Sequence, residues 1–282
     1  MPLKVITEGD VKKETIVFSY SSYSTYLQCP QRYWKEKVLK LPKVEDETYT
    51  IPGRIVHHAA GTYFESGSLQ EFSEDSLKAE LFKYSKLPTV NLEKAYGSFD
   101  KAFDLVTKSA NNLKNFVVTR GSGCEILSEK WFGTWNGPLK VSDNFYLQGA
   151  ADLIEVNPNQ TALLFDFKTS WNTRNASSDQ LILYSYAAKV KWGINVTMAA
   201  FFLLPTNKLQ YVSFILGDQD RLIADMQKAA NDILTLRDNL PCKKNDKCVF
   251  CPYSSGCEAM KQENAVAQLS EGSVSFGFTA EL

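Results

Sequence analysis

The chain has 282 residues, 44% of them apolar, 22% charged and 12% aromatic, which supports one sizeable core or two modest ones and excludes disorder as the main state. Lys and Arg number 31 against 32 Asp and Glu, for a net charge of -1, so a passive nucleic-acid coat with a global basic field is excluded, while an enzyme with one local basic groove is not. The longest apolar run, Val196 to Pro205, is about half of the roughly 20 residues a membrane helix needs, so no membrane partner is expected.

Met1 to Glu14 carries Glu8, Asp10 and Glu14 and no apolar stretch. No secretory signal is expected there, and the expected location is a reducing cytoplasm, prokaryotic or, for a viral protein, that of its host. Phe18 to Trp34 reads as a loop into a helix with Ser19 or Ser21 as N-cap. A second helix is predicted from near Gly53 and carries His57. Residues 70–117 read as helical; Ser98 caps a helix whose Phe99, Ala102, Phe103, Val106, Ala110, Leu113 and Val117 share one face.

From about Glu125 the pattern changes to three strands, EILSEKWFG, LKVSDNFYLQGAADLIEV and TALLFDFKTS, with Asn157-Pro158-Asn159 turning between the last two. A helix over SSDQLILYSYAAKVKW follows, then strands VTMAAFFLL and LQYVSFIL around Asn207, then a helix from Asp218 to about Asn239. The last twenty residues read as a loosely attached tail. This order predicts an α/β fold with one mixed central sheet, flanked by helices and a helical portion. There is no Gly-x4-Gly-Lys-Ser/Thr phosphate loop, which excludes an ATP-driven motor within the chain.

The hairpin places Asp152 on one strand beside Asp166 and Lys168 on the next, so both carboxylates can converge on one divalent cation. Residues 166 and 168 share a face because strand side chains alternate. That arrangement suits phosphodiester hydrolysis: the cation neutralises phosphate charge and acidifies a water, and the ammonium orients that water or stabilises developing charge. Asp-x-Lys pairs are common in surface ion pairs. Here, however, Leu163, Leu164, Phe165 and Phe167 surround the acid, and a carboxylate buried there needs a cation or a partner. His57 could complete the metal shell, whereas His58 points about 100° away on the same helix. Gln180 and Tyr184 lie at i and i+4 on the helix after the lysine and could contact the scissile nucleotide or its phosphates.

Six cysteines occupy positions 29, 124, 242, 248, 251 and 257. Clustering of this kind in a reducing compartment favours metal over disulfides. Cys248, Cys251 and Cys257 form a Cys-x2-Cys-x5-Cys run that needs a fourth thiolate to hold Zn²⁺ or an iron–sulfur cluster. Cys29 is the best candidate and would tie the two chain ends together. Cys242 would make the site local, but its stretch of Lys243, Lys244, Asp246 and Lys247 reads as solvated. Cys124 reads as a free buried thiol.

Taken in order, these motifs resemble the RecB-like branch of the PD-(D/E)XK nucleases. The opening SxSxxxxYLQCPxRYW with Cys29, GRIVH with His57, GAAD with Asp152, DFK with Asp166 and Lys168, QLILY with Gln180 and Tyr184, and CVFCPYSSGC all match. The motifs resemble in particular those of single-domain iron–sulfur exonucleases of CRISPR loci and phages and of the AddB nuclease domain. The resemblance implies a restriction-endonuclease-like fold and a metal-dependent deoxyribonuclease acting on single-stranded DNA ends, with internal cuts as a second mode. It further implies Mg²⁺ or Mn²⁺ held by His57, Asp152, Asp166 and the Phe167 carbonyl, with Lys168 catalytic. A [4Fe-4S] cluster on Cys29, Cys248, Cys251 and Cys257 would join the terminal segments. CRISPR adaptation or recombination proteins are the implied partners.

Three segments are expected within one unit: a helical portion over 1–120, the nuclease core over 121–240 and the cysteine segment with the tail over 241–282. The alternative from another class is a non-catalytic iron–sulfur subunit that binds DNA ends, against which the intact charged trio weighs. A purely structural zinc protein is a third reading.

Overall fold

The structure is a computed structural model, and it describes residues 3–8, 11–43, 46–120, 123–173, 176–257 and 259–260. The chain runs β1 (Leu3–Glu8), β2 (Val11–Phe18), α1 (Tyr20–Gln28), α2 (Pro30–Tyr33), α3 (Ile51–Ser66), α4 (Glu74–Ser85), α5 (Leu92–Tyr96) and α6 (Phe99–Val118). Then follow β3 (Glu125–Gly133), β4 (Leu139–Lys140), β5 (Phe145–Leu147), β6 (Gly149–Val156), β7 (Thr161–Lys168), α7 (Ser178–Trp192), β8 (Asn195–Leu203), β9 (Lys208–Val212) and α8 (Asp218–Leu236). The tail expected over the last twenty residues lies outside the described residues.

One central sheet is expected from the sequence, and two mixed sheets are found. The larger has the order β3-β6-β7-β8-β9, antiparallel throughout except for the parallel pair β7 and β8, which α7 connects. The smaller has the order β1-β2-β5-β4. The segment read as one strand, LKVSDNFYLQGAADLIEV, is β4, β5 and β6, and the first two belong to the smaller sheet. Strands of two and three residues carry too little period-two signal to read. The sheets approach each other at Gly133. A Cβ there would stand 2.3 Å from the Leu147 carbonyl oxygen and 2.7 Å from the Leu139 nitrogen, so no larger residue fits.

Helix boundaries follow their caps. Ser19 caps α1 in a capping box with Ser22, and Ser98 caps α6 by accepting from the Lys101 N–H. On α6, Ala102, Val106, Ala110, Leu113 and Val117 are buried as expected, while Phe99 and Phe103 are half-buried and stack on each other. Beyond Val212 the predicted last strand stops; Ile215 and Leu216 are exposed in the turn before α8.

The alternation along β7 decides how the core is divided. Leu163, Phe165 and Phe167 pack toward α3 and α6, where the Phe116 ring meets those of Phe165, Phe167 and Phe202. Ala162 and Leu164 pack on the opposite side with Leu181 and Ala188 of α7. Asp166 and Lys168 therefore fall on the α7 side. Truncating Phe165 to Ala would cost roughly 3–5 kcal/mol by opening a cavity behind this strand. A third cluster packs Tyr23 and Tyr26 of α1, Tyr33 of α2 and Trp34 against α7 and α8, which brings Cys29 close to the segment after α8.

Candidate active site

Asp152 and Asp166 meet because β6 and β7 pair in a register that sets Leu153 opposite Phe165. One step further along, the two acids lie across from each other. The peptide N–H of Phe167 donates to Asp152 Oδ2 over 2.6 Å. Asp166 is 2% exposed, and Lys168 Nζ lies 2.7 Å from its Oδ2. Even so, that oxygen is buried and receives no hydrogen bond of good geometry. Lys168 Nζ also donates to Gln180 Oε1 at 3.1 Å, while Gln180 Nε2 donates to Asp166 Oδ1 at 2.8 Å and reaches the Tyr184 hydroxyl at 3.2 Å. Gln180 thus clamps the acid and the lysine from α7, and Tyr184 stands one turn behind it.

His57 arrives from α3, on the other side of the sheet. Its Nε2 lies 3.3 Å from the Phe167 carbonyl, and its Nδ1 lies 3.0 Å from Glu129 Oε1 and 3.6 Å from Asp152 Oδ1. His58 is exposed. The structure therefore brings His57, Asp152, Asp166, the Phe167 carbonyl, Lys168, Gln180 and Tyr184 together at one end of the larger sheet.

Glu129 is the member that sequence reasoning missed. The β3–β6 register pairs Ser128 with Leu153 and Lys130 with Ala151, so Glu129 lies opposite Asp152. Its backbone has φ +46°, a left-handed conformation in mid-strand that costs a non-glycine residue about 1–3 kcal/mol. Three carboxylates, Glu129, Asp152 and Asp166, consequently form a row across three strands.

Such a row is electrostatically unfavourable without a cation. Burial, the largest influence, pushes the Asp152 carboxyl up to about 7 although His57 pulls it down. Asp166 is raised by burial as well, against the pull of Lys168. Burial alone would lower His57, but the carboxylates of Asp152 and Glu129 outweigh it and raise the imidazole to about 9. One donor atom each from His57, Glu129 and Asp152 lies within 4.8 Å of the others. Crowded carboxylates, a backbone carbonyl and an imidazole fit a hard divalent cation such as Mg²⁺ or Mn²⁺.

A second constellation lies away from this one. Cys29, Cys242, Cys248, Cys251 and Cys257 line one small cavity of about 30 Å³. The walls are stitched across the chain: Gln31 N–H donates to the Pro241 carbonyl at 3.2 Å, Asn245 Nδ2 to the Gln28 carbonyl at 2.8 Å and Lys243 Nζ to the Leu27 carbonyl at 3.2 Å. Lys243, Lys244, Asp246 and Lys247 are exposed, as their charge suggests, but Cys242 itself is half-buried and its Sγ lies 3.2 Å from that of Cys257. Cys124 is half-buried rather than buried and contacts Asn157 Oδ1 at 3.3 Å.

A model of the PD-(D/E)XK nuclease superfamily matches residues 17–258. The chain belongs to that superfamily. Among solved structures, the nuclease is similar to a protein from Eubacterium rectale described as a candidate exonuclease. The two are 13% identical over 90% of this chain and 92% of that one, with a TM-score of 0.50. At that identity the likeness concerns the fold. A structure designated SSO0001 is also 13% identical, over 75% of the nuclease and 97% of its own chain. Its TM-score of 0.35 is too low to carry an argument. No curated protein matches the chain. Among the described residues no helix is long and apolar enough to cross a membrane.

Proposed function

We propose that this protein is a Mg²⁺- or Mn²⁺-dependent deoxyribonuclease of the RecB-like, AddB-related branch, hydrolysing phosphodiester bonds from DNA ends, single-stranded ends foremost. The observation that carries the reading is the convergence of Asp152, Asp166, Lys168, His57 and the Phe167 carbonyl from β6, β7 and α3 on one point. When bound, the cation supplies charge neutralisation at the phosphate and a more acidic water.

Each residue of the chain has a defined part. Asp152 and Asp166 offer carboxylate oxygens, His57 offers Nε2 and Phe167 its carbonyl as ligands. The Lys168 ammonium faces the same point and opposes charge as it develops on the phosphate oxygens. Gln180 holds Lys168 beside Asp166, so neither side chain has to reorganise during reaction. Tyr184 keeps its phenol protonated, because burial raises its pKa, and steadies the amide of Gln180.

Cys29, Cys248, Cys251 and Cys257 hold a [4Fe-4S] cluster in this reading. Support comes from five thiols on one cavity and hydrogen bonds that already join residues 27–31 to 241–245. The cluster would tie the terminal segments beside the nuclease core and take no part in hydrolysis. Proteins of DNA recombination or CRISPR adaptation are the partners this reading suggests.

The test is a time course on end-labelled single- and double-stranded DNA with Mg²⁺, Mn²⁺ or chelator. Metal-dependent shortening from an end is the expected result. Binding of DNA ends without any cleavage in either metal would replace the reading with a non-catalytic end-binding role.

A further inference from the structure

We propose that Glu129 is a positioning residue that fixes the tautomer and orientation of His57, so that Nε2 presents its lone pair beside the Phe167 carbonyl. The inference rests on the proposed divalent-cation site and adds to it a residue outside the motifs that define that site.

A neutral imidazole carries one N–H and one lone pair, and only the lone pair can ligate a metal. For His57 to offer Nε2, Nδ1 must hold the proton and needs an acceptor. Two carboxylate oxygens are near Nδ1. Glu129 Oε1 stands at 3.0 Å, within hydrogen-bond range, whereas Asp152 Oδ1 stands at 3.6 Å, beyond it. The other oxygen of Asp152 accepts the Phe167 N–H. That leaves Oδ1 of Asp152 for the cation and Glu129 as the acceptor for His57. A metal-bound histidine whose second nitrogen donates to a carboxylate is a general device for setting tautomer and basicity.

The backbone and packing fit the role. Glu129 adopts its φ of +46° in mid-strand, where most side chains avoid the left-handed region. Its Cγ lies 3.6 Å from where a Cβ on Gly61 would be. Gly61 is one turn beyond His57 on α3, so the stem of Glu129 lies along that turn and its carboxylate reaches back to the imidazole. A strained conformation that aims a carboxylate at one ring nitrogen is what a positioning role requires.

The experiment uses full-length protein carrying ¹⁵N-labelled histidine. The sequence has two histidines and His58 is exposed, so the spectrum is simple and contains its own reference. In wild type loaded with Mg²⁺ at pH 8, His57 should show a protonated Nδ1 and a ligated Nε2. Mn²⁺ affinity, measured by EPR titration, should fall on the order of 10–100-fold in Glu129→Ala. Glu129→Gln keeps an acceptor oxygen, so it should lose less affinity and retain the Nδ1–H tautomer. Glu129→Gly, which relieves the φ constraint, should match Glu129→Ala and so separate the missing acceptor from misfolding. In a His57→Ala background, removing Glu129 should add little.

Unchanged Mn²⁺ affinity in both Glu129→Ala and Glu129→Gly would overturn the inference and leave the metal site standing. Equal losses in Glu129→Gln and Glu129→Ala with the His57 tautomer intact would overturn it in favour of direct ligation by Glu129. Wild-type protein that binds no Mn²⁺ would overturn the cation site itself, and this inference with it.

Discussion

The peptide N–H of Phe167 donates to Asp152 Oδ2 over 2.6 Å, tying the residue between Asp166 and Lys168 to the acid of the neighbouring strand. One oxygen of Asp152 therefore steadies the hairpin, and the other, 3.6 Å from His57 Nδ1, is turned toward the proposed cation site. Asp152→Asn retains an acceptor for this bond and removes a charge that burial disfavours. The variant should bind Mg²⁺ far more weakly while its metal-free melting temperature does not fall. Calorimetric titration and a thermal melt check both halves; a large drop in Tm with affinity intact would assign Asp152 to structure alone.

Lys168 is held by Asp166 and Gln180 without being a ligand. Lys168→Ala should lower the cleavage rate on the order of 10²-fold or more, the size expected for a cation aimed at developing charge. Mg²⁺ affinity should not fall, because removing a positive neighbour favours a second cation. Loss of Mg²⁺ binding in calorimetry would reassign Lys168 to maintaining the acids.

The metal-free protein should lose stability as pH rises. The carboxyls of Asp152 and Asp166 are raised above their ordinary 3.8, the former to about 7. The native state therefore holds extra protons between about pH 4 and 7, and stability falls across that window. His57 is raised from 6.5 to about 9, so its contribution is complete below 6.5 and is lost as pH climbs through 9. Both effects have the same sign, and a divalent cation competes with those protons. Thermal melts should thus show a larger Mg²⁺-induced rise in Tm at pH 8.5 than at pH 6. An equal rise at both pH values would contradict the coupling.

The cysteines give a prediction that separates a cluster spanning the termini from a local site. With the proposed cluster in place, Cys29→Ser should lose the cluster's visible absorbance, bind less iron than wild type and loosen both terminal segments to protease. Cys242→Ser should keep its iron, although Cys242 Sγ contacts Cys257 Sγ at 3.2 Å. Iron retained in Cys29→Ser and lost in Cys242→Ser would reverse the assignment.

Much of the site is readable because it depends on local rules. Alternation puts Asp166 and Lys168 on one face, a short turn sets Asp152 beside them, and i, i+4 spacing aligns Gln180 with Tyr184. Glu129 is invisible to those rules. In Ser-Glu-Lys-Trp it resembles a solvated strand residue, and only the β3–β6 register, with the positive φ, turns it toward His57. The second sheet is hidden for a similar reason: β4 and β5 are too short to show a period, and β1 and β2 join them only through long-range pairing. The lysines around Cys242 are solvated as read, but hydrogen bonds from Lys243 and Asn245 to residues 27 and 28, which no local pattern shows, turn the Cys242 thiol toward the cavity.

Asp166 is central to the proposed site, since its buried side chain meets Lys168 and Gln180 and would hold the cation. The most direct measurement is cleavage and DNA binding by Asp166→Ala, assayed side by side with wild type on end-labelled DNA in Mg²⁺ and Mn²⁺. Cleavage should be abolished in both metals while DNA binding remains largely intact, because the carboxylate holds the ion rather than the substrate. Undiminished cleavage by Asp166→Ala would place the active site elsewhere in the molecule.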